Sequence, residues 1–179
     1  MNLGATKYIG ARIARREDLR FLTGRTRYVD DIRLPRTVHA AFVRSPYAHA
    51  EVQAVRSDRA TRLDGGVGVL TGEEATRLAR PIRGDSEWPG WKGTDFPVLA
   101  WPRVHFVGQA VAIVAAVDRY VAEDAAELVE VDYHPLPVVV DLEAAAEPGG
   151  PLVHEAWGDN LFLDRQGSFG DVDSAFAQA

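Results

Sequence analysis

Histidines are the side chains in this sequence that could most readily bind a metal or move a proton near neutral pH. Their spacing is irregular, no HExxH or comparable pattern occurs, and the 179 residues include no cysteine. Structural zinc sites need several ligands at short, fixed spacing, and isolated histidines in strand-like segments more often make structural hydrogen bonds. We therefore predict no metal ligand among the five histidines, which are His39, His49, His105, His134 and His154.

Other patterns that could support catalysis are also weak. Without cysteine, these residues offer no disulfide, no thiolate ligand for zinc or an iron–sulfur cluster, and no thiol nucleophile. Gly65, Gly66 and Gly68 precede a strand-like segment, whereas the glycines of a phosphate loop follow a strand and open a helix. No serine lies in a GxSxG elbow. We predict no catalytic and no cofactor-binding residue in this chain.

Two acidic pairs, at residues 30–31 and 171–173, could share general acid–base work only in a cleft that drives their pKa values apart. The first pair lies beside Arg25, Arg27 and Arg33. Ion pairing with these arginines is therefore the simpler expectation.

Charge is unevenly distributed along the chain, which carries a formal net charge of −6. Residues 1–60 sum to +6 and residues 61–179 to −12. Most of the basic residues are arginine, which favours planar, bidentate contacts with carboxylates or phosphates. Acidic residues interrupt the arginines of residues 12–36, and no known binding motif is present, so we predict no nucleic-acid partner.

Hydropathy predicts no membrane partner. The longest apolar run, residues 110–117, is far shorter than the ~20 residues that a spanning helix needs. The arginines at 15–16 are followed by acidic residues rather than by the apolar stretch of a signal peptide. We expect a soluble, cytoplasmic protein.

Length and composition predict one folded domain with a peripheral arm. The chain is 46% hydrophobic and 26% charged, as is usual for globular proteins. Area scaling gives a folded surface of ~8,600 Å² against ~28,000 Å² for the extended chain. About 70% of the extended surface would then be buried.

Residues 1–36 are predicted to form an irregular N-terminal arm. Residues 16–22 could form one or two helical turns that end at Gly24, and residues 28–32 alternate in hydropathy. The apolar side chains of the arm need a surface to pack on; they are Phe21, Leu22, Tyr28, Val29, Ile32 and Leu34.

Residues 37–150 are predicted to form a mixed α/β (α+β) domain of short strands and packed helices. Residues 38–79 alternate strand, strand, helix, strand, helix. Ser57 is placed to cap the first of these helices, and Thr71 with Glu74 forms a capping box for the second.

A second succession, over residues 104–140, predicts a crossover unit. Residues 104–117 read as a strand, residues 119–129 as a helix with one apolar stripe capped by Asp118, and residues 130–133 and 138–140 as further strands. Crossover connections join parallel strands, so we expect parallel pairing here. A short acidic helix follows at 142–146, and residues 151–179 are predicted to be a linker or tail with a weak helix near the end.

Residues 80–103 contain four prolines and three glycines, which predict a long irregular loop. Loops of more than about 12–15 residues are usually functional or interacting. Trp88, Trp91 and Trp101 lie in or beside this loop. Since tryptophan is unfavourable to leave in water, we expect the loop to pack against another surface.

Several ordered motifs span nearly the whole chain. They are GAR at 10–12, REDLRFLTG at 16–24, YVDDI at 28–32, LP at 34–35, HAAFVRSPYAHA at 39–50, VGQAVA at 107–112, AEDAAELV at 122–129, VDYHPLP at 131–137 and GDVDSAF at 170–176. Together they resemble the opening of the large subunit of the molybdenum hydroxylases, the family of xanthine dehydrogenase, aldehyde oxidase and aerobic carbon monoxide dehydrogenase.

The resemblance implies an N-terminal arm followed by an α/β hammerhead domain. It also implies that the cofactor domains and the catalytic glutamate lie further along than residue 179, so none of these residues is assigned to a cofactor. Gln109 lies in a hammerhead strand rather than in a cofactor loop. For the parent complex, the resemblance implies molybdopterin as the cytosine dinucleotide with molybdenum, and [2Fe–2S] and FAD on partner subunits. The parent enzyme would hydroxylate an aldehyde, a heterocycle or a similar carbon centre with water-derived oxygen.

The implied partners are molybdopterin-binding domains or a subunit bearing them, an FAD-binding medium subunit and an iron–sulfur small subunit. We predict that the chain contacts them through six residues, which are Trp88, Trp91, Trp101, Arg16, Phe21 and Tyr28. Two classes of function stay open: a non-catalytic structural domain of such an enzyme, and a free-standing assembly module without a redox role. The sequence is equally compatible with a fragment and with a naturally split subunit.

Overall fold

The computed structural model describes residues 10–167 and 169–179. The chain divides into two compact units, residues 1–37 and residues 38–179, here called the arm and the body. Within the described residues, no helix is long and apolar enough to cross a membrane.

Local hydrogen bonds define the arm. Helix α1 spans Asp18–Leu22 and begins where Asp18 Oδ2 accepts from the Arg15 amide at 3.1 Å. It ends at Gly24, whose positive φ of 67° lets the Arg25 amide donate back to the Arg20 carbonyl. The helix and its glycine stop are therefore confirmed. The alternating segment near Tyr28 forms a single 3₁₀ turn, Val29–Asp31, rather than a strand.

The first sheet of the body holds strands β1 (His39–Arg44), β3 (Gly66–Thr71) and β7 (Ala110–Ala116) in the order β1-β7-β3. Both pairings are antiparallel. Strand β7 is the central strand, and its apolar side chains are mostly buried. Helix α4 (Arg119–Glu127) packs on this sheet through Ala122 and Ala125, whose small side chains allow a close approach.

The second sheet holds strands β2 (Ala50–Arg56), β6 (Arg103–Val104) and β8 (Glu130–Pro135) in the order β6-β2-β8, again antiparallel. The core lies between the two sheets and α4 as two clusters of buried residues. Val43, Val55 and Val131 pack against both clusters and so join them. The mixed α/β class is confirmed.

The expectation of parallel pairing over residues 104–140 is wrong. Strands β7 and β8 belong to different sheets, so α4 carries the chain from one sheet to the other. A strand–helix–strand succession does not specify that both strands share a sheet, and only then does the crossover rule apply. Residues 138–140 also form no strand. They follow Pro135 and Pro137, which lack the amide donors that a ladder needs.

Helix starts in the body follow the predicted caps in two of three cases. Before helix α3 (Gly72–Leu78), Thr71 and Glu74 form the capping box, and before α4, Asp118 accepts from the Val121 amide. Helix α2 (Asp58–Thr61) begins after Ser57, but the Ser57 side chain makes no capping hydrogen bond. That predicted cap is therefore wrong, and the four-residue helix relies on packing instead.

Residues 80–103 are more regular than predicted. Strands β4 (Ile82–Gly84) and β5 (Thr94–Phe96) pair antiparallel and form a hairpin, with Ile82 opposite Phe96. Residues 82–96 are called the tryptophan hairpin below, because its loop carries Trp88 and Trp91. Prolines flank the hairpin without interrupting either strand, so the frequency of proline misled the prediction of an irregular loop.

After β8 the chain contains three short helical segments. They are helix α5 (Leu142–Ala146), a 3₁₀ turn (Glu155–Trp157) and helix α6 (Val172–Ala177). The predictions of the acidic helix and of the final short helix are confirmed. Between them, residues 154–165, called the docked segment below, pack onto the rest of the body.

Candidate functional site

Three histidines that lie far apart in sequence stack on one another. Strands β2 and β6 pair Ala50 with Val104, so the adjacent His49 and His105 lie side by side. Their ring centroids are 5.9 Å apart with planes at 27°, and His154 also stacks on His105 at 4.8 Å and 22°. We call His49, His105 and His154 the histidine stack.

The innermost ring of the histidine stack has an incomplete hydrogen-bond set. His49 is only 7% exposed. Its Nδ1 lies 2.8 Å from the Pro137 carbonyl oxygen, which can only accept, so Nδ1 carries the proton. Nε2 is then a buried acceptor, and it has no hydrogen-bond partner among the described residues.

Burial and neighbouring rings lower the pKa of two members of the stack, His105 and His154. Burial lowers the pKa of His105 to about 4, and His154, His49 and Arg103 contribute further in the same direction. The pKa of His154 is also lowered, first by burial and then by His49. A proton on His105 or His154 would therefore be poorly solvated and repelled.

Arg103 connects the stack to a pair of carboxylates. Its guanidinium lies 3.2 Å from Glu51 on β2 and 3.1 Å from Glu155 in the docked segment. The side chain of Arg103 is 25% exposed, which makes it one of the less exposed ion-pairing groups of the body. Gln109 closes the turn between β6 and β7, because its Oε1 accepts from the His105 amide at 2.7 Å.

A chain of aromatic contacts continues from the stack to the tryptophan hairpin. Trp157 packs on His154 with centroids 4.4 Å apart, and Phe162 packs edge-on against Trp91 at 4.2 Å. Arg165 lies over the Trp88 ring at 4.4 Å. Lys92 adds an ion pair with Asp159, and its amide donates to the Phe162 carbonyl at 3.2 Å.

The structure separates the three tryptophans predicted to make contacts. Trp88 and Trp91 meet edge to face at 6.2 Å, and the docked segment of the same chain supplies part of their packing surface. Trp88 nevertheless remains 49% exposed. Trp101 lies apart from them, against the core cluster around Val104 and Val111. Contacts of these tryptophans with another chain stay a prediction.

Of the contact residues predicted on the arm, Phe21 and Tyr28 lie together and Arg16 is exposed. The ring centroids of Phe21 and Tyr28 are 6.1 Å apart. Nearby, Arg20, Arg25 and Arg27 line a recess of about 460 Å³. The Thr26 hydroxyl oxygen is buried without a partner in the described part of the chain. The arrangement could hold a carboxylate of another molecule, and arm contacts stay a prediction.

A groove of about 270 Å³ lies beside the stack, lined mainly by apolar side chains, with His105 and Trp101 among them. It is smaller than most small-molecule sites, which run from about 300 to 1,000 Å³. The described residues contain no group of three or more histidine, aspartate or glutamate side chains that could hold a metal ion. The rings of the histidine stack face one another instead of converging on a point.

Sequence reasoning missed the histidine stack, since it treated the five histidines as unrelated. The pairing of β2 with β6 brings two of them together, and β6 is only two residues long. No periodicity can reveal so short a strand. The docked segment supplies the third ring from a region that reads as an unstructured tail.

Comparison with known sequences identifies the family. Residues 23–137 match the family described as aldehyde oxidase and xanthine dehydrogenase, a/b hammerhead domain. The chain belongs to this family. The match covers most of the body, and its extent confirms the resemblance to molybdenum hydroxylases and the hammerhead fold.

Relatives of this hammerhead chain are named as large subunits. The chain is 37% identical to the nicotine 6-hydroxylase large subunit of Paenarthrobacter nicotinovorans, over 96% of its own length and 21% of the relative. It is 43% identical to the carbon monoxide dehydrogenase large chain of Afipia carboxidovorans, over 86% of its own length and 18% of the relative.

A solved structure shows the same fold. Quinoline 2-oxidoreductase from Pseudomonas putida 86 superposes with a TM-score of 0.80 at 38% identity, covering 84% of this chain and 19% of that one. The hammerhead chain thus spans about a fifth of the length of the relatives that it matches.

Proposed function

We propose that this hammerhead chain serves as a non-catalytic structural and assembly domain of a molybdenum-hydroxylase large subunit. The observation that carries the proposal is its exposed surface. Many large hydrophobic side chains of the described residues are exposed in both units. Much of the exposed surface is apolar, including Leu22, Val29, Phe42 and Tyr120. Surface of this kind favours contact with other protein.

A half-exposed apolar row on the first sheet supports the same proposal. Phe42 lies opposite Ile113, and Ile113 lies opposite Leu70, so the three side chains share one sheet face. Val114 points to the other face and packs in the core below α4. The Phe42 ring is 48% exposed, with the Arg44 guanidinium 5.2 Å from its centroid. A neighbouring protein surface would bury this row.

The cofactors of the parent enzyme are proposed to be held outside these residues. They would be molybdopterin cytosine dinucleotide with molybdenum, [2Fe–2S] and FAD, and the cofactors would carry out the hydroxylation and pass the electrons on. The sequence has no cysteine to ligate an iron–sulfur cluster, and the described residues include no group of three or more side chains that could hold a metal ion. The chain's proposed contribution is to pack against the cofactor-binding domains and against the medium and small subunits.

The proposed contact surfaces are the arm and the tryptophan hairpin. On the arm, the recess of Arg20, Arg25 and Arg27 offers cations to an acidic partner surface. On the hairpin, the outer face of Trp88 remains available after Arg165 has covered part of the ring. Aromatic and arginine side chains of this kind are enriched in the energetically important centres of interfaces.

Native mass spectrometry of the protein purified from its own source, with molybdenum, iron and flavin quantified, tests this proposal. We expect the hammerhead sequence in an assembly with larger partners and with stoichiometric molybdenum, iron and FAD. A metal-free 19.6 kDa species that binds no other protein would contradict it and would favour the free-standing assembly module.

A further inference from the structure

The docked segment, residues 154–165, is attached to the rest of the body by several contacts of different kinds. At one end, His154 stacks on His105 and Glu155 pairs with Arg103. At the other end, the aromatic ring of Phe162 and the Asp159 carboxylate meet Trp91 and Lys92 of the tryptophan hairpin. No regular sheet or long helix joins this segment to the body. In addition, the Lys92 amide donates to the Phe162 carbonyl and the Asn160 side chain donates to the Ala145 carbonyl, so the histidine end is one of several attachments.

The histidine stack favours neutral rings for geometric reasons. Each protonated imidazole carries two N–H donors and needs an acceptor for each. His49 already uses Nδ1 on Pro137, and its Nε2 has no acceptor within reach among the residues described. A proton on His105 would lie between two other imidazoles at 5.9 and 4.8 Å. Stacking in this arrangement therefore favours the uncharged form of His105 and His154.

We propose that the histidine stack is an acid-sensitive clasp, meaning a contact that holds residues 154–165 to the rest of the body. Its protonation releases these residues while the two sheets stay folded. Release separates His154 from His105 and lets water solvate the new charge. The rest of the body retains its core, because neither cluster of buried residues includes the docked segment.

The charged groups around the stack do not offset a proton on it. Arg103 is a cation beside His105, and its two carboxylate partners, Glu51 and Glu155, are already paired with it. Asp95 lines the same groove as His105 but lies 3.3 Å from the Arg83 guanidinium. His134 lies opposite Glu51 in the β2–β8 ladder. Arg103, Glu51 and Glu155 together carry a net charge of −1, but of these three groups it is Arg103 that acts on His105, and it lowers the pKa of that ring.

The pH window follows from the lowered pKa of two members of the stack. A histidine whose pKa is lower in the docked state stabilises docking fully above its ordinary value of 6.5, and the stabilisation is lost as the pH falls towards the lowered value. For His105 that lowered pKa is about 4. The Lys92 ion pair holds the pKa of Asp159 below its ordinary value, so this pair stays charged in the same window. The histidine variants described below test whether loss of docking between pH 6.5 and 4 comes from the stack.

Hydrogen–deuterium exchange of the full chain at pH 7.5 and 5.0, corrected for intrinsic rates, tests the clasp. We expect exchange in residues 154–165 to rise about tenfold at pH 5.0, while strand β7 stays protected. If docking lowers the pKa of His105 from 6.5 to about 4, the equilibrium constant for release changes roughly thirtyfold between pH 7.5 and 5.0. The partial exposure of His105 reduces this factor. Unchanged exchange in residues 154–165, or an equal rise in β7, would overturn the proposal.

Variants identify the group responsible. His105→Phe keeps a ring in the stack without a titrating nitrogen, so we expect its exchange at residues 154–165 to differ by less than twofold between the two pH values. His154→Phe gives a second reading if the first variant folds poorly. His134→Phe removes an exposed imidazole outside the stack and should keep the tenfold response. A tenfold response that persists in both stack variants would overturn the proposal.

Discussion

The body and the arm differ in how they accommodate apolar side chains. In the body, Val111 and Val114 of β7 are at most 1% exposed, because two sheets and α4 enclose them. In the arm, Leu22 and Val29 are 85% and 84% exposed, although their backbones lie in regular turns held by local hydrogen bonds. Local bonding is therefore sufficient to shape the arm, and burial is what gives the body its cooperativity. Sequence apolarity is similar in both regions, so it does not distinguish a core from a contact surface.

A buried charge gives the largest expected difference between the two regions. Val111→Asp places a carboxylate in the core without a partner, and we expect a loss of at least about 4 kcal/mol or failure to fold. The matched variant Val29→Asp on the arm should change the free energy of unfolding by less than about 0.5 kcal/mol. Urea unfolding followed by circular dichroism measures both. Equal losses would show that the arm is as well packed as the body.

Packing at a glycine gives the next largest effect. A Cβ on Gly72 would lie 2.2 Å from the Ala100 carbonyl oxygen, so Gly72→Ala must displace backbone and should cost about 2–4 kcal/mol. A Cβ on Gly68, in the adjoining strand, meets nothing within 4 Å. Gly68→Ala should therefore be neutral or slightly stabilising. If thermal unfolding shows the same shift for both variants, the close approach of α3 to residue 100 is not a determinant of the body.

Helix capping within the body provides a smaller contrast. Thr71→Ala removes a side chain that accepts from the Glu74 amide, and we expect a loss of about 1 kcal/mol. Ser57→Ala removes a side chain that makes no capping bond, so the free energy of unfolding should stay within about 0.3 kcal/mol of the parent value. Chemical denaturation at pH 7 compares them. A larger loss at Ser57 would contradict the helix start described here.

The arm should show the smallest effect on stability and a clear effect on assembly. Phe21→Ala and Tyr28→Ala each remove one ring of a pair on the arm, so we expect unfolding of the body to be unchanged. If the arm is a contact surface, co-purification with partner subunits should fall about tenfold or more. Leu78→Ala on α3, also well exposed, serves as the control. Unchanged co-purification of both arm variants would refute the arm contacts.

The parts of the fold that sequence predicts are those set by local chemistry. The capping box at Thr71, the Asp118 cap and the apolar stripe of α4 all depend on residues within one or two turns of each other. The parts that fail depend on distant partners. Whether β7 and β8 share a sheet is decided by β2 and β3, which lie before both in the sequence.

The candidate site follows the same division. Three widely separated segments supply the histidine stack, and its central ring is positioned by a two-residue strand. The tryptophan hairpin shows the opposite difficulty, since its aromatic content is evident but its pairing is hidden by prolines and glycines. The resemblance to a known family identified the hammerhead domain, which the local sequence pattern alone did not identify.

The position of β1 also affects the tendency of the chain to aggregate before it assembles with other protein. It is the outermost strand of its sheet, and only one of its two edges pairs with a described strand. Its residues are HAAFVR, with no proline or lysine to discourage edge-to-edge association. At high concentration, unassembled copies should therefore aggregate through this edge, and the rate should rise with concentration. Timely capture by neighbouring protein would then act as protection against aggregation, in addition to any role in catalysis.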